Sequence, residues 1–302
     1  MHTPVLLSQA LDALAVVPAG SYVDCTFGRG GHARAILERL GPDGRLLALD
    51  RDPAACAAGA ELASDPRFEL VHARFSRLEA LLAARGRLGA TSGVLMDLGV
   101  SSPQLDDPER GFSFSASGPL DMRMDPAQGP SCAEWLNAAK QTDIADCLWE
   151  YGEERYSRRI ARAIVAARQR APLKTTGELA ALVAGAVPRR PARIHPATRT
   201  FQALRILIND ELGELRAGLE QAARALALGG RLVVISFHSL EDRIVKRYFR
   251  ELTRPAEQKA SAAASGKEFR LVQRKPVTAD DAEIARNPRA RSANLRALER
   301  AA

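Results

Sequence analysis

No stretch of this sequence stays apolar for the roughly 18 to 20 residues that crossing a bilayer requires, so no membrane helix is expected. The start, Met1-His-Thr-Pro-Val-Leu-Leu7, has neither the basic region nor the small-residue cleavage site of a secretion signal. Cysteine is scarce: Cys25, Cys56, Cys132 and Cys147 stand far apart, with no Cys-x-x-Cys pair and no Cys/His cluster. That argues against a structural zinc site and suits reduced thiols in a cytoplasm. Internal repeats are missing too. The expectation is a cytoplasmic protein without metal or membrane attachment, a homo-oligomer being neither required nor excluded.

What the chain has in excess is basic charge, and it is concentrated. The net charge is +7 over 302 residues. From Arg155 to Arg205, twelve Lys or Arg residues face a single acid, Glu178, so that window carries +11 and the remainder −4. A basic segment on a mildly acidic body is how a polyanion-binding lobe looks. A solvated Arg-rich helix reads the same way, and charge alone favours neither.

With 46% hydrophobic residues the chain can bury a sizeable core. Short apolar runs at 21–26, 45–50, 68–73 and 93–97 read as strands, several closing on an aspartate. Helical spacing lies between them, as in Ala33, Ile36, Leu37 and Leu40. Such alternation predicts a mostly parallel sheet covered on both faces. The rhythm breaks after Asp97 with a loop rich in Ser, Pro, Gly and Asp, reaching about Pro130. Helices are predicted over 153–171, 176–187 and, as one long helix, from Thr200 to about Leu226. A strand at 230–236 follows, then a helix from Leu240 to Leu252 capped by Ser239, with Asp242 three residues on. Pro255–Gly266 reads as a linker, and no element is assigned to the basic tail from Asn287. The expected organisation is an α/β domain over 1–104 and 200–302, interrupted by a helical insert over 105–199.

In such a sheet, ligands bind beyond the carboxyl ends of the strands where the strand order reverses. Phe27-Gly-Arg-Gly-Gly-His32 occupies the first such loop. Gly28, Gly30 and Gly31 let the backbone turn sharply and leave N–H groups free at a helix start. Asp50 ends the second strand, where a carboxylate can accept two ribose hydroxyls. Gly28-x-Gly30-x-x-Ala33 also matches the dinucleotide fingerprint, so the loop alone does not select the ligand. Charge does: Asp24, Asp50 and Asp97 line one crevice, and three carboxylates oppose a pyrophosphate. S-adenosylmethionine, with a sulfonium and an ammonium against one carboxylate, suits them. Asp24 either touches that ligand or simply holds the glycine loop.

Asp97-Leu-Gly-Val-Ser-Ser-Pro-Gln104, after the fourth strand, offers a carboxylate, carbonyls, hydroxyls and an amide. Those are the acceptors that methylation of a weakly nucleophilic exocyclic amine needs. Ser101 and Ser102 fit a plain turn equally well. Phe27-Gly-Arg-Gly-Gly-His, Asp97-Leu-Gly-Val-Ser-Ser, Arg110-Gly-Phe-Ser-Phe, Leu120-Asp-Met-Arg-Met and His195-Pro-Ala-Thr-Arg-Thr-Phe-Gln-Ala-Leu-Arg run in this order. With Ile235-Ser-Phe-His-Ser-Leu-Glu-Asp-Arg and Asn287-Pro-Arg-Ala-Arg-Ser-Ala they cover nearly the whole chain. In these motifs the sequence resembles the bacterial 16S rRNA cytosine-N4 methyltransferase family (RsmH/MraW).

That resemblance implies a class I, Rossmann-like methyltransferase fold with a helical insertion domain after strand four. It also implies S-adenosylmethionine as cofactor and, as partner, 16S rRNA in the assembled small subunit, with a decoding-centre cytidine as target. It places Gly30, Gly31, His32, Asp50, Phe75, Asp97 and Gln104 at the cofactor. Asp97 is the candidate catalytic acceptor. Arg189, Arg190 and Arg193 are candidate RNA contacts, and His238 is either a substrate contact or a residue that orients backbone. Many nucleobase-amine methyltransferases follow the strand-four Asn or Asp with Pro-Pro-aromatic, the aromatic serving as platform for the flipped base. Leu-Gly-Val stands there in this chain, leaving Phe112, Phe114 or Phe237 as replacements.

Three rivals share parts of the pattern. A nicotinamide dehydrogenase shares the glycine loop but not the acidic crevice. A non-catalytic RNA-binding protein shares the basic insert but has no use for strand-end carboxylates. A DNA amine methyltransferase shares the chemistry and differs only in substrate.

Overall fold

The computed structural model describes residues 4–188, 194–254 and 269–301. The chain divides into two compact units, one of residues 1–99 and 212–302, the other of residues 100–211. The changeovers lie at Gly99/Val100 and Glu211/Leu212, where the sequence pattern placed them at 104/105 and 199/200.

The first unit is a seven-stranded sheet. Its strands are β1 (Ser21–Asp24), β2 (Arg45–Asp50), β3 (Phe68–His72), β4 (Thr91–Asp97), β5 (Leu226–Ser236), β6 (Phe269–Leu271) and β7 (Asn294–Arg300), in the order β3-β2-β1-β4-β5-β7-β6. From β3 to β5 all pairings are parallel, and β7 lies antiparallel between β5 and β6. Side-chain alternation divides the apolar strand residues between two cores. Leu46, Ala48, Leu95, Val233 and Ile235 join the core that includes α1 (Leu7–Leu14) and α2 (Gly31–Leu37). Leu47, Leu49, Val94, Met96, Leu232 and Val234 join the opposite core. That core packs under α4 (Leu78–Ala83), α11 (Glu211–Ala225) and α12 (Ser239–Leu252). Burial on both faces is why these strands read as near-continuous apolar runs. The short α3 (Pro53–Ala58) opens with proline at its first turn and takes Asp52 as cap, Ala54 N–H donating to Asp52 Oδ1 at 2.9 Å.

Residues 287–301 of the tail are structured and supply β7. Its charges are paired: Arg296 meets the Asp242 carboxylate at 2.7 and 3.0 Å. Glu299 takes Arg231 at 3.0 Å and Arg270 at 2.6 Å. Asp242 therefore serves β7 rather than a cap. Helix α12 begins one residue earlier than the sequence pattern indicates, with His238 as its cap and Glu241 as the reciprocal partner.

The second unit holds α5 (Ser102–Asp106), α6 (Cys132–Ala138), α7 (Gln141–Gly152), α8 (Ser157–Arg168), α9 (Thr176–Ala186) and α10 (Thr198–Asn209) around its own core. The lone acid of the basic window, Glu178, closes a capping box with Thr175 at the start of α9. Two expected helices differ. The segment 153–171 starts its helix only at Ser157, because Glu153 ends α7 with φ 48°. The long helix from Thr200 is two helices, α10 and α11, parted by Asp210 at φ 48°. Left-handed backbone at a non-glycine residue leaves little mark in hydrophobic spacing. Buried Asn209 clamps the loop before α6: Met124 N–H donates to its Oδ1 at 2.8 Å, and its Nδ2 donates to Met122 O at 2.7 Å. Among the described residues no helix is long and apolar enough to cross a membrane.

Candidate active site

The strand order reverses at β1, between β2 and β4, so a crevice is expected beyond their carboxyl ends. Each of these strands ends on an aspartate. Asp24, at the end of β1, is 1% exposed. Thr26 N–H donates to its Oδ1 at 3.1 Å, and its Oδ2 has no hydrogen-bond partner. Burial pushes this carboxyl up to about 7, with the charge of Asp50 adding to the rise.

The glycine loop is bound to β2 through Asp50. Gly28 N–H donates to Asp50 Oδ2 at 2.7 Å, and Asp52 N–H donates to Oδ1 at 2.8 Å. Burial raises the Asp50 pKa while these backbone donors hold it down. Each oxygen keeps lone-pair capacity for a further donor. Gly30, at φ 73°, starts α2 in left-handed backbone, where a Cβ would stand 2.7 Å from the Phe27 ring. A Cβ on Gly31 would collide with Pro4.

Asp97 ends β4 with its side chain 24% exposed. Its backbone N–H donates to Thr26 Oγ1 at 2.7 Å. Its Oδ2 lies 3.6 Å from His32 Nδ1, and its Oδ1 is a buried atom without a partner. Burial, then the charges of Asp24 and Glu241, holds the Asp97 pKa well above the usual carboxylate range. His32 is pushed down to about 4 by burial, so its imidazole is neutral at pH 7. Thr26 therefore ties the ends of β1 and β4 together. The sequence pattern does not single it out, although a hydroxyl just past a strand is the available sign.

The other expected site residues fall as follows. Phe75 sits just past β3, half-buried, its ring against Gly218 of α11. Gln104 belongs to the second unit, where Ser101 N–H donates to its Oε1 at 2.8 Å in a capping box that starts α5. His238 caps α12, with Nε2 3.3 Å from Glu241 Oε1. Glu241 itself, 2% exposed, escapes the sequence pattern, in which Ser239 looks like the cap; its Oε2 accepts the N–H of Phe237 at 2.8 Å and of His238 at 3.3 Å. Arg189, Arg190 and Arg193 lie outside the described residues. Cys25, Cys132 and Cys147 are buried, Cys147 with its thiol pushed up to about 12 by burial, and Cys56 is half-buried on α3.

A family model described as the MraW methylase family matches residues 1–301. The chain belongs to that family. Relatives include the ribosomal RNA small subunit methyltransferase H of Methylococcus capsulatus, 57% identical over 300 residues, covering 98% of this chain and 100% of the relative. The protein of that name from Nitrosococcus oceani is 57% identical over 304 residues, covering 99% and 96%. That from Thiobacillus denitrificans is 55% identical over 306 residues, covering 100% and 97%. Among solved structures, an rRNA methylase from Streptococcus thermophilus aligns with TM-score 0.40 and 11% identity, covering 100% of this chain and 99% of that one. At that likeness the strand order, not the superposition, carries the fold class: a mostly parallel, Rossmann-like class I methyltransferase sheet.

Proposed function

We propose that the chain transfers a methyl group from S-adenosylmethionine to the exocyclic N4 amine of a cytidine in 16S rRNA. Its substrate is the small ribosomal subunit, at the decoding centre, in the cytoplasm. The observation that supports this most is the Asp97 carboxyl at the end of β4, with a partnerless oxygen, its backbone N–H held by Thr26 and His32 lying beside it next to the glycine loop.

The donor set suits the cofactor. Three crowded strand-end carboxyls, their pKa values raised by burial and by one another, gain from a ligand that brings two cationic centres. The orphaned oxygens of Asp24 and Asp97 are acceptors without donors, and a ligand ammonium brings donors. Asp50 has acceptor capacity for ribose hydroxyls, the turn at Gly30 and Gly31 brings backbone close, and Phe75 stands past β3 on the same side. When bound, S-adenosylmethionine supplies an electrophilic methyl. Everything else falls to the protein. Asp97, its carboxylate form favoured by the positive charge of a bound cofactor, accepts a hydrogen of the target amine, which localises the nitrogen lone pair, fixes its direction and gives the departing proton a destination. Neutral His32 lies beside Asp97, Nδ1 3.6 Å from Oδ2, and brings no compensating charge.

Methylation at carbon 5 would instead need a thiolate to add at carbon 6. Burial raises the Cys25 and Cys132 thiols well above their ordinary range, so neither offers a thiolate at neutral pH. The arginine-rich segment 155–205 of the second unit supplies the RNA affinity in this reading, with Arg189, Arg190 and Arg193 as contacts and His238 ordering the loop after β5.

The test is methyl transfer from labelled cofactor to small subunits prepared from cells lacking the enzyme, beside naked rRNA and DNA. Label in the small-subunit rRNA supports the reading. Label in DNA alone, or in no nucleic acid, overturns it.

A further inference from the structure

A base removed from its stack needs an aromatic face to lie on, and Leu98-Gly-Val, directly after β4, carries none. Of the three phenylalanines that could replace it, two are committed elsewhere. Phe112 is 6% exposed in the core of the second unit, with the Arg110 guanidinium 5.8 Å from its ring centre. Phe114 has its ring against His195 at 4.8 Å and Phe201 at 4.7 Å.

Phe237 is different. Strands β4 and β5 run parallel with Asp97 opposite Ile235. Two residues further along both chains, Gly99 and Phe237 stand level just beyond the sheet. A Cβ on Gly99 would lie 3.7 Å from Phe237 Cδ2, so the residue beside the ring is one that carries no side chain to cover it. Gly99 has φ 92°, a backbone that side-chain-bearing residues rarely adopt. The ring is half-buried and rests on the core beneath α1 and α2. Its backbone is anchored by Glu241, which takes the N–H groups of both Phe237 and His238.

We propose that Phe237 is the platform on which the target cytosine stacks while Asp97 holds its exocyclic amine. The usual arrangement places acceptor and aromatic on one loop; here the acceptor comes from β4 and the aromatic from the neighbouring strand. The proposal rests on the cytidine-methylating reading above.

The experiment compares Phe237→Tyr and Phe237→Leu in the full chain, acting on small subunits that lack the modification. It measures kcat, KM for subunits, cofactor affinity and melting temperature. Tyr retains a stacking face and should stay within about threefold of the unmodified protein. Leu fills the same space without a π-face and should lower kcat/KM by about 10- to 100-fold. Cofactor affinity should not change in either. Phe237→Met, which also refills the space, gives the same comparison if Leu lowers the melting temperature. Equal activity of Leu and Tyr would overturn the platform, because a purely structural ring is replaced by either. Cofactor affinity falling in step with activity would overturn it too, by assigning the ring to the cofactor. Failure of the unmodified protein to methylate cytosine in these subunits removes the underlying reading, and the platform with it.

Discussion

In the proposed function Asp50 serves two purposes at once, and a substitution there exposes both. It holds the Gly28 and Asp52 N–H groups, and in the proposed function it also accepts the ribose hydroxyls. Asp50→Ala should weaken S-adenosylmethionine binding by about 30- to 1,000-fold, the loss of two charge-assisted hydrogen bonds. Calorimetry measures this, and an unchanged dissociation constant in a folded variant would remove Asp50 from the cofactor site. Asp24 gives a pH signature. Its folded pKa of about 7 lies above the ordinary aspartate value of 3.8, so the native state binds the proton more tightly than the unfolded chain. The stabilisation is fully present below about pH 4 and is lost as pH rises through 7. His32, lowered to about 4 from 6.5, contributes the opposite slope over pH 4 to 6.5 and masks it in the unmodified protein. Asp24→Asn should therefore gain in melting temperature relative to the unmodified, cofactor-free protein as pH rises from 4 to 7, then level off. A difference that does not vary with pH would mean that Asp24 is not held protonated. Both aspartates are legible in the sequence because each closes a short apolar run. Thr26 is not, since its role depends on which strand ends become neighbours, and Glu241 is hidden because Ser239 looks like the cap that His238 provides.

At the scale of elements, α8 concentrates the described part of the basic segment. Ser157, Ile160, Ala161 and Ile164 are buried, while Arg158, Arg159 and Arg162 on the helix are exposed, as is Arg155 just before it. None of these arginines pairs with an acid among the described residues. Such a row is suited to phosphates. Replacing Arg158, Arg159 and Arg162 with Gln should weaken RNA binding and make the log–log salt slope shallower by about 0.7 to 0.9 for each phosphate no longer neutralised. Cofactor binding should be unaffected. A slope that does not move would make this face an ordinary solvated one. The helix itself is legible from its spacing, but its start is not, because the residue that turns left-handed is Glu153 and not the adjacent Gly152. Strand β7 is hidden for a different reason. Arg296, Glu299 and Arg300 give it the appearance of a surface tail, and only the partners Asp242, Arg231 and Arg270 show how such a strand is accommodated between β5 and β6.

Across the whole molecule, a mostly parallel sheet places three strand-end carboxyls around one glycine loop, and a separate helical unit carries the arginine-rich segment 155–205. The motif series spans both units, which is why the family is visible in the sequence while the boundaries are displaced. The central claim is chemical: the nucleophile is an amine held by Asp97, not a carbon activated by cysteine. Nucleoside mass spectrometry of small-subunit rRNA after reaction with isotope-labelled cofactor tests it most directly, because the two methylcytidines separate chromatographically. The label should appear in N4-methylcytidine, persist in Cys132→Ser and Cys147→Ser, and be largely lost in Asp97→Ala. Label in 5-methylcytidine, or its disappearance in either cysteine variant with Asp97→Ala still active, would contradict the account.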